Sequence, residues 1–354
     1  MKAADLDYVL PEERIAQVPV EPRDSARLLV AGAAAVEHRV VRDLVEFLRP
    51  GDLLVINTTK VLPARVPVVR EGGANGEVLL LEDRGDGTWE ALCRPSRKLA
   101  PGTVAESTGG RLTFEFGEDL GAGRRIVRPS RTGAASLGHD EADLLGALAS
   151  DGQMPLPPYI HSELEDPERY QTTYAQRPGS AAAPTAGLHL TESLLERIAG
   201  EGVRVAPVEL VVGLDTFRPV SVEHLEDHPI HTEHYRVPEQ TWHDVGTTHM
   251  AGGRVVAVGT TTTRALESVA HSGDLAGRTS LFITPGFEFR VVDRLLTNFH
   301  LPRSSLLAMI EAFAGTGWRD LYSLAIDEGY RFLSFGDAML LDRNPDAAHG
   351  SPTG

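Results

Sequence analysis

The hydrophobic pattern of this chain changes twice along its length, and the two changes decide what it can fold into. Residues 1–65 open with a Pro- and Arg-rich segment, Pro19-Val20-Glu21-Pro22-Arg23-Asp24-Ser25-Ala26-Arg27, followed by a helical spacing of Val40, Val41, Leu44, Val45 and Leu48 that Pro50-Gly51 stops. The run Leu53-Leu54-Val55-Ile56 then reads as a buried strand, and its far end delivers Asn57, Thr58, Thr59 and Lys60, where α/β proteins commonly hold a ligand. From residue 66 to 149 the texture becomes short strands, at 77–82, 89–94 and 112–116, with Asp86-Gly87 marking a hairpin. Beyond Gly152, helix patterns at 191–198 and 263–270 alternate with strand patterns at 203–212, 255–258 and 281–284, which favours a largely parallel, layered arrangement. The expected fold class is α/β: a layered main domain from residues 1–65 and 151–342, a small β-barrel or sandwich inserted at 66–150, and a frayed tail at 343–354.

Composition removes whole classes of function. The 354 residues are 42% hydrophobic, enough for a sizeable core and too much for a solvating tail, and no repeat of period 20–50 is visible. Fifty acidic residues outnumber 34 basic ones, and the formal charge of −16 excludes a polycationic nucleic-acid coat protein. Only Lys2, Lys60 and Lys98 are lysines, so nearly all positive charge sits on guanidinium forks suited to carboxylate or phosphate. Any polyanionic partner must be held by local arginines. Arg94, Arg97 and Lys98 on one loop, with Arg124, Arg125, Arg128 and Arg131, offer such a grip, although solvated basic turns are commoner. The single cysteine, Cys93, excludes a disulfide framework and reads as a small buried strand residue. The acidic start Met1-Lys2-Ala3-Ala4-Asp5-Leu6-Asp7 lacks the parts of a signal peptide, and no apolar run approaches the roughly 18 residues of a membrane span. A cytoplasmic protein without a membrane is expected.

Four constellations could carry chemistry. Val255-Val256-Ala257-Val258-Gly259-Thr260-Thr261-Thr262-Thr263-Arg264 places a glycine turn and four hydroxyls at a helix start, where free N–H groups suit a ligand carboxylate or sugar hydroxyls; ordinary capping explains it equally well. The string has neither a P-loop lysine nor a Gly-x-Gly-x-x-Gly. Ala181-Ala182-Ala183-Pro184-Thr185-Ala186-Gly187-Leu188-His189 lets a ligand approach the backbone and sets His189 just before a helix. His224, His228, His231, Glu233 and His234 superficially suggest a metal, but Pro229 interrupts and the zincin His-Glu-x-x-His is absent, so acid/base or hydrogen-bonding roles are preferred. Pro285-Gly286-Phe287-Glu288-Phe289 offers Phe287 for stacking on a base, against ordinary burial. Downstream, Asn298, His300 and Arg303 approach an apolar helix face of Leu306, Leu307, Met309, Ile310 and Phe313. No Gly-x-Ser-x-Gly elbow supports hydrolase chemistry.

Six motifs in one order are similar to a known family. Leu10-Pro11-Glu12-Glu13-Arg14-Ile15-Ala16-Gln17 with Pro22-Arg23-Asp24, Pro155-Leu156-Pro157-Pro158-Tyr159-Ile160, Arg169-Tyr170-Gln171-Thr172-Thr173-Tyr174, Ala183-Pro184-Thr185-Ala186-Gly187-Leu188-His189, Asn298-Phe299-His300-Leu301-Pro302 and Ser334-Phe335-Gly336-Asp337-Ala338-Met339 closely resemble the S-adenosylmethionine:tRNA ribosyltransferase-isomerase family of queuosine biosynthesis. The resemblance runs over almost the whole chain and implies an α/β main domain with an inserted small antiparallel β-barrel. It implies S-adenosylmethionine as a ribosyl donor, and as acceptor a tRNA anticodon loop carrying 7-aminomethyl-7-deazaguanine at the wobble position. The implied products are epoxyqueuosine-tRNA, adenine and methionine, made by a monomer without metal or redox cofactor.

The implied chemistry assigns roles. The sulfonium acidifies adjacent 5′ protons, so a base forms an ylide-like carbanion, adenine leaves, the tRNA amine attacks and methionine departs. His189, or His231 with Glu233, is expected to supply acid/base function, with Asn298 and His300 orienting ribose or assisting adenine. Asp337 is expected to hold the donor's ammonium or a hydroxyl, and Thr260 and Thr261 its carboxylate or ribose, with Asn57, Thr185, Gly187, Arg264, Gly286 and Phe287 as further binding residues. Arg23, Arg27, Arg65, Arg97 and Lys98 are expected to meet tRNA phosphates or the modified base. Two places depart from the family pattern. Asn57-Thr58-Thr59-Lys60 stands for Asn-Asp-Thr-Arg, and Val211-Val212-Gly213-Leu214-Asp215-Thr216-Phe217 for His-Val-Gly-Leu-Gly-Thr-Phe. The departures keep two alternatives open: a paralogue acting on another amine or 7-deazapurine, and a catalytically silent RNA-binding homologue.

Overall fold

A computed structural model describes residues 1–32, 35–133, 141–213, 222–228, 230 and 232–349. The chain divides into two compact units, one from Met1–Thr59, Pro157–Gln176 and Ala183–Gly354, the other from Lys60–Leu156 and Arg177–Ala182. The second unit thus starts six residues before the expected insertion and recruits Arg177–Ser180, a strand with no apolar alternation to announce it.

The first unit is built on a nine-stranded sheet ordered Ala276–Thr279, Glu233–Arg236, Arg204–Leu210, Leu53–Asn57, Val255–Val258, Arg294–Asn298, Ala338–Asp342, Arg27–Ala31 and Val36–Val40. The four strands from Arg204–Leu210 to Arg294–Asn298 run parallel, and both edges are antiparallel. Leu53–Asn57 is central and buried at every position, as a strand covered on both faces must be. On one face Leu54 and Ile56 pack with Leu194 and Ile198 of helix Glu192–Gly200 and with Val41 and Leu44. Each such side chain contributes about 1.5–3 kcal/mol by leaving water. Helices Glu239–Met250 and Thr260–Ser272 also pack on the sheet.

The second unit is a closed antiparallel barrel ordered Arg124–Arg131, Trp89–Arg94, Asn75–Asp83, Arg65–Arg70, Val104–Ser107 and Leu112–Gly121, with one α-helix, Glu141–Asp151. Leu112, Phe114 and Phe116 alternate into its interior. Cys93 lies in the same interior, where burial pushes its thiol up to about 12, so it is no nucleophile.

Three local expectations are corrected. Residues 40–48 form the end of a strand and a 3₁₀ helix, Val41–Phe47, because the Asp43 carboxylate caps the Val40 N–H (3.2 Å) and Pro50-Gly51 follows at once. Residues 281–284 are not a strand: the Leu281 N–H donates to Thr279 Oγ1 (3.1 Å) and its carbonyl accepts from Arg264 Nε (3.2 Å), which removes the groups a ladder needs. In the expected tail, Pro345–His349 forms a 3₁₀ turn anchored by Asn344 N–H to Phe313 O at 2.9 Å; residues 350–354 lie outside the described ones.

Candidate active site

The parallel strands converge on a cleft at their C-terminal ends, the position at which open α/β sheets bind ligands. Its lining is mostly apolar, with a few hydroxyl, amide and imidazole groups set into it, the usual make-up of a small-molecule site. Gly259, at φ 89°, turns the chain sharply so that the helix begins at Thr260, three residues earlier than expected, and Thr260 and Thr261 face the cleft. Asn298 ends its strand opposite the turn Thr185–His189, and His300 follows. None of the described lining residues is Lys, Arg, Asp or Glu.

One hydrogen-bond chain organises this surface. The Thr185 hydroxyl donates to Asn298 Oδ1 (2.9 Å), and Asn298 Nδ2 donates to His189 Nε2 (3.2 Å) and to the Asp337 carbonyl (3.3 Å). An amide nitrogen only donates, so His189 Nε2 accepts and its ring proton sits on Nδ1. Burial, then the nearby charges of Arg331, Arg169 and Arg23, push His189 down to about 4, so the ring is neutral. His300 faces hydroxyls at both ring nitrogens: Tyr322 Oη, which accepts from the His300 N–H (3.1 Å), lies 3.4 Å from Nδ1, and Thr297 Oγ1 lies 3.3 Å from Nε2. Burial alone pushes His300 down to about 3. Tyr8 completes the cradle by donating to the His300 carbonyl at 2.5 Å.

The expected site residues thus separate. Thr185, Asn298, His300, Thr260 and Thr261 share the cleft, and His189 joins them through Asn298. Asn57 stands behind: its amide donates to Leu210 O (3.0 Å) and Thr261 Oγ1 (3.3 Å) and accepts from the Thr59 N–H (3.1 Å), pinning strand ends together. Gly187 is buried where Tyr174 leaves no room for a side chain. Glu233 pairs with Arg264 and accepts from the Gly213 N–H (3.2 Å). His231 and Asp215 lie outside the described residues.

Other candidates are used within the fold. Asp337, expected to hold the donor, instead accepts from the backbone N–H groups of Arg27 (2.9 Å) and Arg331 (2.8 Å) and braces two segments. Arg23, expected on phosphate, donates to the carbonyls of Gln171 (2.8 Å), Leu188 (3.2 Å) and Glu168 (2.8 Å). Arg27 bonds Glu328 O (2.7 Å) and stacks over Tyr330 at 3.7 Å. Phe287 packs edge-on to Phe289 at 5.0 Å, which meets Phe313 at 5.0 Å, so it belongs to an aromatic cluster; Gly286, at φ 93°, makes the turn before it. In the barrel unit Arg65 pairs with Glu77 (2.9 Å), Arg124 with Glu90 (2.8 Å) and Arg125 with Asp119 (2.8 Å). Arg97 is exposed on a short turn, and the Lys98 side chain lies outside the described ones.

Sequence reasoning missed Tyr159, Ser304 and Ser334, which line the cleft, and Tyr8 and Tyr322, which cradle His300. Ser304 was detectable as a cap, since its hydroxyl accepts from the Leu307 N–H; the tyrosines reach His300 from distant segments and leave no local signal. Among the described residues no group of three metal-ligating side chains comes together, and no helix is long and apolar enough to cross a membrane.

Comparison with known proteins gives one consistent pattern. The family model described as "Queuosine biosynthesis protein" matches residues 3–341. A protein of Rubrobacter xylanophilus named S-adenosylmethionine:tRNA ribosyltransferase-isomerase is 51% identical, over 96% of this chain and 98% of its own. One of the same name from Thermotoga maritima is 46% identical, over 96% and 100%. A crystal structure of S-adenosylmethionine tRNA ribosyltransferase from Thermotoga maritima superposes with a TM-score of 0.54 at 37% identity, covering 95% of this chain and 99% of that one.

Proposed function

This chain belongs to the queuosine biosynthesis protein family, and from that premise we propose that it is an S-adenosylmethionine:tRNA ribosyltransferase-isomerase. It transfers and isomerises the ribosyl moiety of S-adenosylmethionine onto 7-aminomethyl-7-deazaguanine in a tRNA anticodon loop, giving epoxyqueuosine-tRNA with release of adenine and methionine. The observation that carries the reading is the cleft itself: concave, free of charged side chains among its described lining, and edged with oxygen acceptors. The Thr185 hydroxyl gives its proton to Asn298, so its lone pairs and the second lone pair of Asn298 Oδ1 remain for a ligand.

Such a surface suits a sulfonium. With no carboxylate on the described lining, oxygen dipoles hold the cation, and a low-dielectric wall favours its conversion to a neutral ylide, just as burial lowers the pKa of any cationic acid. The 5′ proton goes to a base, the resulting electron pair drives adenine off, and His300, on the cleft wall, is the hydrogen-bonding partner of the departing purine in this reading. The tRNA amine then forms its bond to the ribosyl carbon and methionine leaves. His189, with Nε2 taken by Asn298, is a positioning residue for Asn298 and Thr185.

The same reading carries the expectation of a cytoplasmic monomer that uses no metal or redox cofactor. The test is incubation with S-adenosylmethionine and tRNA bearing the aminomethyl deazaguanine, following adenine and the mass of the wobble nucleoside. Adenine formed only with a non-tRNA amine would replace this reading by the paralogue that Thr58 and Val211 suggest; the Thr58 hydroxyl donates to Val208 O (3.2 Å) and offers no substitute for a carboxylate. Binding of tRNA without adenine under any condition would mark a silent homologue.

A further inference from the structure

A second, smaller cavity in the sheet-bearing unit is lined by Arg23, Arg169, His189 and Ser334 among others, and Ser334 also lines the main cleft. We propose that this cavity is an oxyanion subsite of the active site, where the guanidinium of Arg169 takes one anionic group, a carboxylate or a phosphodiester, of a bound substrate. The proposal rests on the enzyme reading above.

The hydrogen-bond inventory points there. Arg169 Nη2 donates to the Val20 carbonyl (2.7 Å) and Nε faces Glu21, but Nη1 is buried without a hydrogen-bond partner among the described residues. Arg331 repeats the pattern: Nη1 donates to Val18 O (3.1 Å), while Nη2 is buried without a hydrogen bond, 3.8 Å from Asp337 Oδ1. A buried guanidinium donor left unpaired is costly, and an incoming oxyanion removes that cost with a short charge-assisted bond. Arg23 and Arg169 line the cavity and Arg331 stands close enough to act on His189; of the carboxylates around them, Glu21 is largely exposed, Asp166 and Glu168 act on Arg23, and Asp337 is held by the Arg27 and Arg331 N–H groups. His189 is neutral and adds no charge. Because Ser334 is common to both cavities and His189 reaches Asn298 at 3.2 Å, a group held on Arg169 is one side chain from the reacting cleft.

Two substrates carry such a group: the methionine carboxylate of S-adenosylmethionine and the tRNA backbone. The experiment uses the full chain and begins with the ligand: calorimetric binding of S-adenosylmethionine against decarboxylated S-adenosylmethionine to the wild type, then to Arg169→Gln and Arg169→Lys, with tRNA affinity measured across salt in parallel. If the carboxylate is the occupant, the decarboxylated compound binds the wild type about tenfold or more weakly, and R169Q erases the difference while R169K restores part of it. If a phosphodiester is the occupant, R169Q leaves S-adenosylmethionine unchanged, weakens tRNA and lowers the salt slope by about one. Sulfate at matched ionic strength is a third probe: its stabilisation of the wild type against thermal unfolding should vanish in R169Q, whatever reaction the protein performs. Equal binding of both donors to the wild type, with tRNA affinity and sulfate stabilisation unaltered in a folded R169Q, overturns the subsite. Sulfate protection lost in R169Q, without adenine release by the wild type, keeps the anion site and overturns the enzyme reading.

Discussion

Gly187→Ala is the sharpest test of how the site is held. An added Cβ would fall 2.1 Å from Tyr174 Oη, 3.2 Å from its Cζ and 3.0 Å from Thr172 Cγ2, where ordinary carbon contacts need about 3.5 Å or more. Gly187 is buried in the turn Thr185–His189, so the turn or the Tyr174 ring must retreat by more than about 1 Å. Overpacking of this kind costs about 1–3 kcal/mol. Thr185 and His189 lie on the same turn, and a misplacement of about 1 Å can cost on the order of 100-fold in turnover. The relief is specific. Tyr174→Phe removes the nearest atom, and because that hydroxyl is buried without a hydrogen-bond partner among the described residues, its loss alone leaves stability unchanged or improved by up to about 1 kcal/mol. Urea unfolding and adenine release on the two single variants and the double variant should give a coupling energy of at least about 1 kcal/mol, with the double variant recovering most of the activity. A Gly187→Ala protein as stable and active as the wild type, or one that Tyr174→Phe fails to rescue, refutes the steric account.

The remaining predictions address other parts of the molecule. Asn298→Ala breaks the bonds to Thr185, His189 and the Asp337 carbonyl, and should lower the rate of adenine release by about 10²–10³ with a smaller change in donor affinity, measured by single turnover and calorimetry. The folded-state values of His189 (about 4) and His300 (about 3) lie below the ordinary histidine value of about 6.5. Below pH 6.5 the unfolded chain therefore takes up protons that the fold refuses. Stability, fully present above that pH, should decline between about pH 6.5 and 4, by up to roughly 1.4 kcal/mol per unit for each ring, and His300→Asn should flatten the decline in denaturant titrations. Asp52 is raised by burial, but bonds from Arg254 (2.6 Å to the guanidinium) outweigh this and set its carboxyl below the usual range. Its contribution is present above about pH 4 and lost as pH falls through the lowered value, and Asp52→Asn should cost about 3 kcal/mol at neutral pH by unpairing Arg254. Phe287→Ala should cost about 2 kcal/mol from the aromatic cluster and leave adenine release per folded molecule unchanged; a large rise in KM would return Phe287 to the substrate.

Much of the framework is legible from one-dimensional signals because burial writes itself into periodicity. The apolar run at Leu53-Leu54-Val55-Ile56 becomes the central strand, and the alternation through Leu112, Phe114 and Phe116 becomes a barrel wall. The failures have equally local causes. Residues 281–284 are as apolar as a strand, but Ile283 turns into a cluster with Met309 and Ala312 while Leu281's backbone is taken by Thr279 and Arg264. Arg177–Ser180 pairs as a strand with almost no buried side chain, so pattern is silent where backbone bonding alone decides.

The site divides along a different line. Sequence identifies chemically capable residues, but whether a polar group is available to a ligand depends on which hydrogen bonds it already makes, and these come from segments far apart in the chain. Asp337 lies in a motif string and is buried, yet Arg27, 310 positions away, takes one of its oxygens. Arg23 has the right chemistry for phosphate, but three carbonyls from residues 168–188 engage both of its terminal nitrogens, whereas Arg169 keeps a buried donor without a hydrogen-bond partner among the described residues. The two histidines show the same dependence most fully. Both are buried and neutral, so composition and pKa alike treat them as equivalent. Only the partners separate them: an amide nitrogen that cannot accept forces His189 to accept at Nε2, whereas His300 has hydroxyls at both ring nitrogens, Tyr322 Oη 3.4 Å from Nδ1 and Thr297 Oγ1 3.3 Å from Nε2. Tyr322→Phe leaves Nδ1 without its hydroxyl and the ring held by Thr297 alone, and should slow adenine departure while leaving donor affinity nearly intact.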